Sequence, residues 1–134
     1  MAIKKSVAVR NAELDTLETT IGASAVLKIR TGAPPANITD ADSGTVLATI
    51  NLPSDWMAAA SNGSKAKSGT WQANGSADGE AGHFRLYASN GTTQHLQGTV
   101  SGTGGGGDMT LDNVNIANGQ QVTVNTFTLT AGNA

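Results

Sequence analysis

The chain of 134 residues has no cysteine, which excludes disulfide bonds, thiol chemistry and zinc sites with cysteine ligands. Only 13% of its residues are charged, about half the usual share of a globular protein. No segment approaches the roughly 20 consecutive apolar residues of a membrane-spanning helix, and the basic N-terminus lacks the apolar core of a secretory signal. We therefore expect a chain that is synthesised in the cytoplasm and does not associate with membranes.

Positive charge is absent from the second part of the chain. Residues 86–134 contain no Lys or Arg, and their only acidic residues are Asp108 and Asp112. Edge strands usually carry charge, especially Lys, because charge prevents pairing with other chains. A β-rich region without it is expected to hide its edges in a closed sandwich or against partner subunits. The net charge of −2 and the lack of a basic stripe also disfavour nucleic-acid binding.

Apolar residues with helical spacing occur near the N-terminus. They form a narrow stripe that predicts one helix and consists of Val7, Leu14, Leu17 and Ile21. Ser6 is a suitable N-cap, and Gly22 stands where a left-handed residue often ends a helix. Because the stripe is narrow, the helix is expected to lie on a surface, either that of its own sheet or that of a neighbour. Residues 1–22 are assigned to an N-terminal helix or arm and residues 23–134 to a β domain.

After the helix the apolar period changes to two, which indicates β-strands. Strands are predicted at 25–30, with the mixed face of Val26, Lys28 and Arg30 outward, at 45–52, around Trp71, in the hairpin 83–100, from 108, and at 120–130. Ser54 is predicted to begin a short helical turn that includes Trp56, and residues 61–69 to form a polar loop. Seven or eight short strands with regular turns are typical of an antiparallel β-sandwich, such as a jelly roll.

The hairpin at Asn90-Gly91 allows two pairing registers. A two-residue loop would mix apolar and polar residues on each face, whereas a three-residue loop places Phe84 opposite Leu96 on one apolar face. We therefore predict the three-residue loop. In that register His83 and His95 lie on the polar face and point to solvent.

The remaining polar motifs do not predict a catalytic or metal site. The two histidines lack a third ligand. The segment Asp40–Gly44 resembles the start of a calcium loop but lacks the later glutamate, so a turn is the better interpretation. Asp108 and Asp112 share a strand face, and paired carboxylates can hydrolyse glycosides, but the adjacent Gly104–Gly107 is a poor rigid scaffold and lacks the Lys of a phosphate loop. We predict no catalytic residues, metal, cofactor or enzymatic activity.

The two Trp, two Phe and one Tyr allow a second class of function, glycan binding. A glycan-binding module places several aromatic rings on one open face, whereas Phe84 and Phe127 belong to apolar faces that point inwards. Trp56 lies in a connection, where it is either a core residue or the anchor of an interface. An adhesion module of the β-sandwich type is therefore an alternative prediction.

Four segments resemble small structural proteins of tailed bacteriophages and prophages. They are VRNAELDTLETTIGASAVLKIRTGAPPAN, LPSDWMAAASNG, GTWQANGSADGEAGHFRLYASNGTTQHLQGTV and NTFTLTAGN, and they are distributed from residue 9 to residue 133, so the resemblance extends along nearly the whole chain. The resemblance implies a protein located in the virion that contacts other virion proteins. We expect a capsid decoration or cement subunit that binds the major capsid protein. The alternative within this class is a subunit of the tail, collar or fibre, bound to tail proteins.

The surface predicted to contact the shell or sister copies combines the helix, the Trp56 connection and the last strand. A homodimer or homotrimer would suit the closed symmetry of such an assembly. The residues predicted to make these contacts are Val7, Leu14, Leu17, Trp56, Val122, Val124 and Thr128.

Overall fold

The computed structural model describes residues 3–132, which form one helix and nine strands. The elements are α1 Val7–Ile21, β1 Val26–Thr31, β2 Val46–Asn51, β3 Ser64–Ala66, β4 Gln72–Asn74, β5 Gly79–Tyr87, β6 Gln94–Gly102, β7 Met109–Leu111, β8 Asn115–Ile116 and β9 Gln121–Thr130. The prediction of a mainly β fold with one N-terminal helix is confirmed.

The strands form a single mixed sheet that curls into a half-barrel, and the predicted antiparallel sandwich is not confirmed. The strand order is β2-β1-β5-β6-β7-β9-β3, with β4 also paired to β9 and β8 to β5. Every pair is antiparallel except β6 with β7. The curl brings distant strands together, since the Ser76 amide after β4 donates to the Leu47 carbonyl of β2 at 2.8 Å.

Helix α1 has the predicted ends and packs on its own β domain. Ser6 caps the first turn through its side chain, and Gly22 ends the helix with a φ of 92°. Leu14 and Ile21 are buried. The Trp56 indole N–H donates to the Gly22 carbonyl at 2.9 Å, which fixes the end of the helix to the connection after β2. The sequence allowed two surfaces for the helix, that of its own sheet and that of a neighbour. In the structure the helix packs on its own sheet.

The core lies inside the curl and includes a row of four aromatic rings. Trp56 and Trp71 have ring centroids 6.1 Å apart, Trp71 and Phe127 5.6 Å, and Phe127 and Phe84 5.5 Å. Such pairs contribute about 0.5–1.5 kcal/mol each beyond the burial of their area. The row joins the connection after β2 to β9 and to β5, so it packs segments far apart in the sequence around one core.

The connection between β2 and β4 differs from the prediction in two places. Residues 54–60 form no helical turn, because Trp56 is buried there and Met57 pairs with Lys67 in an extended bridge. The predicted polar loop contains β3, whose Lys65 is only 2% exposed. The strand was not predicted because its inward-facing residue is a cation rather than an apolar side chain.

The predicted register of the hairpin is wrong. Strand β5 pairs Phe84 with Gly98 rather than with Leu96, and a register shift leaves His95 without a partner in β5. The physical reason is Asn90, whose side-chain oxygen accepts hydrogen bonds from the amides two and three residues later, at 2.9 and 3.0 Å. This local bonding stabilises a longer loop than the apolar pattern alone favours.

Candidate functional site

A cluster of charged side chains is buried on the outer face of β1 and β5. Arg30 and Arg85 are 6% and 0% exposed. The loop 32–45 covers them and supplies Asp42, whose carboxylate oxygens lie 3.1 Å from Arg30 Nη2 and 2.9 Å from Arg85 Nη1. The Tyr87 hydroxyl donates to the same carboxylate at 2.7 Å. The loop therefore covers Arg30 on the mixed face of β1, and the prediction that this face points to solvent is wrong at Arg30, whereas Lys28 is only half-buried.

Hydrogen bonds to the backbone of the loop complete this cluster, which we call the arginine clamp (Arg30, Asp42, Arg85 and Tyr87). Arg85 donates to the carbonyls of Asp40 and Asn37 at 2.8 and 3.2 Å. Gln97 on β6 donates to the Pro35 carbonyl at 2.7 Å. The segment that resembles a calcium loop thus provides oxygen atoms that bind arginine, and its turn holds the loop on the sheet.

The arginine clamp favours the ionised form of its carboxylate. Burial alone would raise the pKa of Asp42, but hydrogen bonds from Tyr87 and Arg85 and the charges of both arginines lower it below 3.8. Burial, together with the hydrogen bond to Asp42, raises the pKa of Tyr87 above 10.0. A general acid or base works best with a pKa near neutrality. The lowered pKa of Asp42 and the raised pKa of Tyr87 are both further from neutrality than the usual values of these groups.

His83 is buried beside the arginine clamp. Its Nδ1 atom lies 2.9 Å from the Gly32 carbonyl oxygen, which can only accept, so Nδ1 carries a proton. Within the described residues, neither His83 Nε2 nor Arg30 Nε has a hydrogen-bond partner, although both atoms are buried. The prediction that His83 points to solvent is wrong, because the loop after β1 covers it, whereas His95 is only partly buried.

A second buried cation joins the helix to β3. Lys65 Nζ lies 2.6 Å from Asp15 Oδ1 and 3.0 Å from Glu18 Oε1. The same two carboxylates also accept backbone hydrogen bonds, Asp15 from the Ala60 amide and Glu18 from the Met57 amide. Burial alone would lower the pKa of Lys65, but the hydrogen bonds to Asp15 and Glu18 raise it. The ammonium group stays charged and fixes the helix to the sheet.

The two aspartates of the second part of the chain bind backbone at opposite ends of β7. Asp108 Oδ2 accepts from the amide and the hydroxyl of Thr99, at 2.9 and 3.0 Å. Asp112 Oδ1 accepts from the Thr123 amide at 3.2 Å. Each carboxylate therefore satisfies an amide where strand pairing is interrupted, which explains both residues without a reaction.

A gap one strand wide, here called the strand slot, opens between β6 and β9. Strand β7 fills the space between them but is only three residues long. It pairs with residues 100–102 of β6 and 124–127 of β9. Residues 94 and 96–98 of β6 and residues 128–130 of β9 have strand partners only on their far sides, β5 and β3, and His95 has none. Where β7 lies between them, β6 and β9 are two strand spacings of about 4.8 Å each apart, and beyond the start of β7 residues of both strands line an open cavity.

A cavity of about 200 Å³ lies in the strand slot. The buried rings of Phe84 and Phe127 lie at its base in edge-to-face contact. Leu96 and Leu129 are only partly buried there. The full lining is Phe84, Leu96, Gln97, Asp108, Phe127, Thr128 and Leu129. Asp108 is the single charged residue of this lining, so the site combines an apolar base with one carboxylate.

The residues predicted to contact partners are divided between core and surface. Those buried in the chain's own core are Leu14, Trp56, Val122 and Val124. Their side chains have no surface to offer a partner in this fold, and for Trp56 the core interpretation is correct. Val7 is 47% exposed, Leu17 is half-buried and Thr128 is exposed at the rim of the strand slot. Contacts of these three residues with a partner stay a prediction.

Sequence reasoning missed the arginine clamp, although a signal for it exists. Arg30 and Arg85 lie on strands whose other face is apolar, and Asp40 and Asp42 are the only acidic residues between the first two strands. Opposite charges with this placement favour a loop that folds over the sheet. The strand slot had no comparable signal, because it depends on where β7 begins and on its parallel pairing.

No protein-family model, no curated protein and no solved structure matches this chain. Between residues 3 and 132 no His, Cys, Asp and Glu side chains form a group of three or more that could hold a metal ion. The helix in this part of the chain is too short and too polar to cross a membrane.

Proposed function

We propose that the chain is a non-enzymatic structural protein of a tailed-phage virion, and specifically a capsid decoration or cement subunit. The resemblance of four segments to such proteins supports the virion context. The observation that carries the structural role is the use of ionisable side chains within the fold. Asp42 binds two arginines, and Asp108 and Asp112 bind backbone amides. Groups committed in this way stabilise a subunit and are not free to act on a substrate.

The alternative of a glycan-binding adhesion module has less support. Sugar recognition by stacking needs exposed aromatic rings, and every aromatic side chain of this protein is at most 3% exposed. Trp56, the residue on which that hypothesis depended, donates to a helix carbonyl inside the fold. A glycan site on this chain would therefore have to be built from polar side chains alone.

The proposal is tested by looking for the protein in phage particles. Tailed particles from a strain that encodes the chain are purified through a density gradient and analysed by peptide mass spectrometry. An antibody against the chain then locates it by negative-stain electron microscopy. Labelled heads support a decoration subunit bound to the major capsid protein, and labelled tails support the alternative of a tail, collar or fibre subunit. Particles that lack the protein would refute both.

A further inference from the structure

We propose that the strand slot binds the N-terminal segment of a second copy of this chain, the residues around Ile3 that precede the helix. The segment would be added as a β-strand, with Ile3 in the cavity. This inference goes beyond the proposed function, because it concerns contacts between copies and is independent of any larger particle. It rests on three properties of the slot: backbone groups without a strand partner, an apolar base, and one carboxylate that makes no ion pair within residues 3–132.

Strand β9 directs backbone groups into the slot. The Phe127 carbonyl accepts from the segment after β3 at 3.0 Å, and the Ala131 amide donates to the segment before β3 at 2.9 Å. Alternate residues of a strand direct their N–H and C=O groups to opposite sides. Because Phe127 and Ala131 face β3, Thr128 and Thr130 face the slot.

Strand β6 presents the opposite side of the slot in the same way. The Thr99 amide faces β7 and is bound by the Asp108 side chain. By the same alternation, Gln97 directs its N–H and C=O into the slot. An extended segment between Gln97 and Thr128 can bond to both strands, as peptides do when they add a strand to an exposed sheet edge. It would also continue β7 toward its N-terminal side.

The N-terminal segment has an exposed apolar side chain that could fill the cavity in the strand slot. Among the described residues, the large hydrophobic side chains that are exposed are Ile3, Val7 and Val9, all at the N-terminus. Ile3 is 78% exposed and precedes the helix, in a stretch without regular structure. Insertion of Ile3 above Phe84 and Phe127 would remove this side chain from water and fill the cavity.

Charge complementarity supports the N-terminal segment as the occupant and fixes its direction. Asp108 makes no ion pair within residues 3–132, and both of its bonds to Thr99 use Oδ2, which leaves Oδ1 for a cation. Residues 86–134 contain no Lys or Arg, but two lysines follow Ile3 directly. Lys5 is paired with Glu13 at 3.1 Å, whereas Lys4 makes no ion pair within residues 3–132, so Lys4 is the cation available for Asp108. A segment that runs in the direction of β7 places this lysine beside Asp108.

The donor segment and the acceptor slot are different surfaces, so the contact is heterologous. Copies would join head to tail and form a ring or an open chain. This geometry predicts that a copy with a damaged segment can still accept, and a copy with a damaged slot can still donate.

Complementary variants test this prediction. Ile3→Asp damages the segment, and Thr128→Lys puts a cation at the rim of the slot. By light scattering after size-exclusion chromatography, we expect each variant alone to associate about tenfold or more weakly than the unmodified chain. An equimolar mixture is expected to form a 1:1 complex, because one intact segment and one intact slot remain. Ile3→Leu and Thr49→Lys, a change of an exposed threonine on β2, are the matched controls and should associate normally.

A peptide experiment keeps the proposal testable if Thr128→Lys does not fold. The peptide MAIKKSV should bind the Ile3→Asp chain, whose slot is intact, while MADKKSV should not. Replacing Asp108→Asn should weaken peptide binding by about two- to fivefold, an effect that disappears in high salt. No binding of MAIKKSV, or a mixture that stays monomeric, would overturn the proposal. So would an unmodified monomer in which Ile3 occupies the slot of its own chain.

Discussion

The two parts of this chain are stabilised by different interactions. Residues 3–85 contain the buried cations Arg30, Lys65 and Arg85, which fix a loop and the helix to the sheet through carboxylates. The part from residue 86 onwards has no cation and is joined by strand pairing and apolar side chains. Buried ion pairs bring little net stability but specify which segments meet. Strand pairing leaves open edges wherever a partner strand is too short.

The charge-free part hides most of its edges within its own sheet. Strand β9 pairs with β7 on one side and with β3 and β4 on the other. Of the two explanations offered for the missing charge, a closed arrangement of the chain's own strands accounts for most of β9. The strand slot is the exception, and for its edges the second explanation, contact with a partner subunit, stays a prediction.

The largest loss of stability within the charged part is expected from Asp42→Ala. The change leaves Arg30, Arg85 and the Tyr87 hydroxyl without their common acceptor. Because Arg85 is fully buried and Asp42 partly exposed, we expect a loss of about 2–4 kcal/mol in the free energy of unfolding, measured in urea. Asp55→Ala, which removes an exposed carboxylate, is the control. Equal midpoints for the two variants would show that the arginine clamp does not fix the loop.

Acid should weaken the charged part through the same carboxylate. The pKa of Asp42 is below 3.8 in the folded chain, so its contribution is present above that pH and is lost as the pH falls through the folded pKa. We expect urea midpoints that are constant above roughly pH 5 and then decrease. The Asp42→Asn variant should show a smaller decrease over this range, and an identical decrease in both proteins would contradict the assignment.

A smaller loss is expected when the helix loses its buried cation. Lys65→Met keeps the length of the side chain but removes the charge that Asp15 and Glu18 bind. Because these carboxylates are partly exposed, we expect about 1–3 kcal/mol, together with faster amide hydrogen exchange in the helix. Lys67→Met, a change of the half-buried lysine two residues later, is the control. Unchanged exchange in α1 would mean that the apolar contacts alone hold the helix.

The smallest effect is expected in the charge-free part. Asp112→Ala removes the acceptor for the Thr123 amide at an exposed strand margin. Water can replace this bond, so we expect a loss of only about 1 kcal/mol in the free energy of unfolding. A loss as large as that of Asp42→Ala would contradict the distinction between the two parts.

Local features of the fold were predictable from the sequence. The helix between Ser6 and Gly22 follows from a cap, a terminator and an apolar stripe, all of which act within a few residues. The class of fold follows from the apolar period of two. These features depend on neighbours along the chain, and the structure confirms them.

Features that depend on distant residues were predicted poorly. The loop 32–45 covers β1 and β5 because of charges far apart in sequence, and β3 is a strand because helix carboxylates satisfy Lys65. The hairpin register was missed for a different, local reason, because the side-chain bonds of Asn90 to the next turn outweigh the apolar pattern. The strand slot depends on the short length of β7. Periodicity contains no information on such contacts.

The central claim is that a second copy completes the sheet at the strand slot. The mass of the unmodified chain in solution tests this claim most directly. Light scattering after size-exclusion chromatography would be measured over a hundredfold range of concentration. We expect a mass that rises with concentration above the 13.5 kDa of one copy, and for Ile3→Asp a rise that begins only at a concentration about tenfold or more higher. A mass of 13.5 kDa for the unmodified chain at every concentration would contradict the claim that a second copy fills the strand slot.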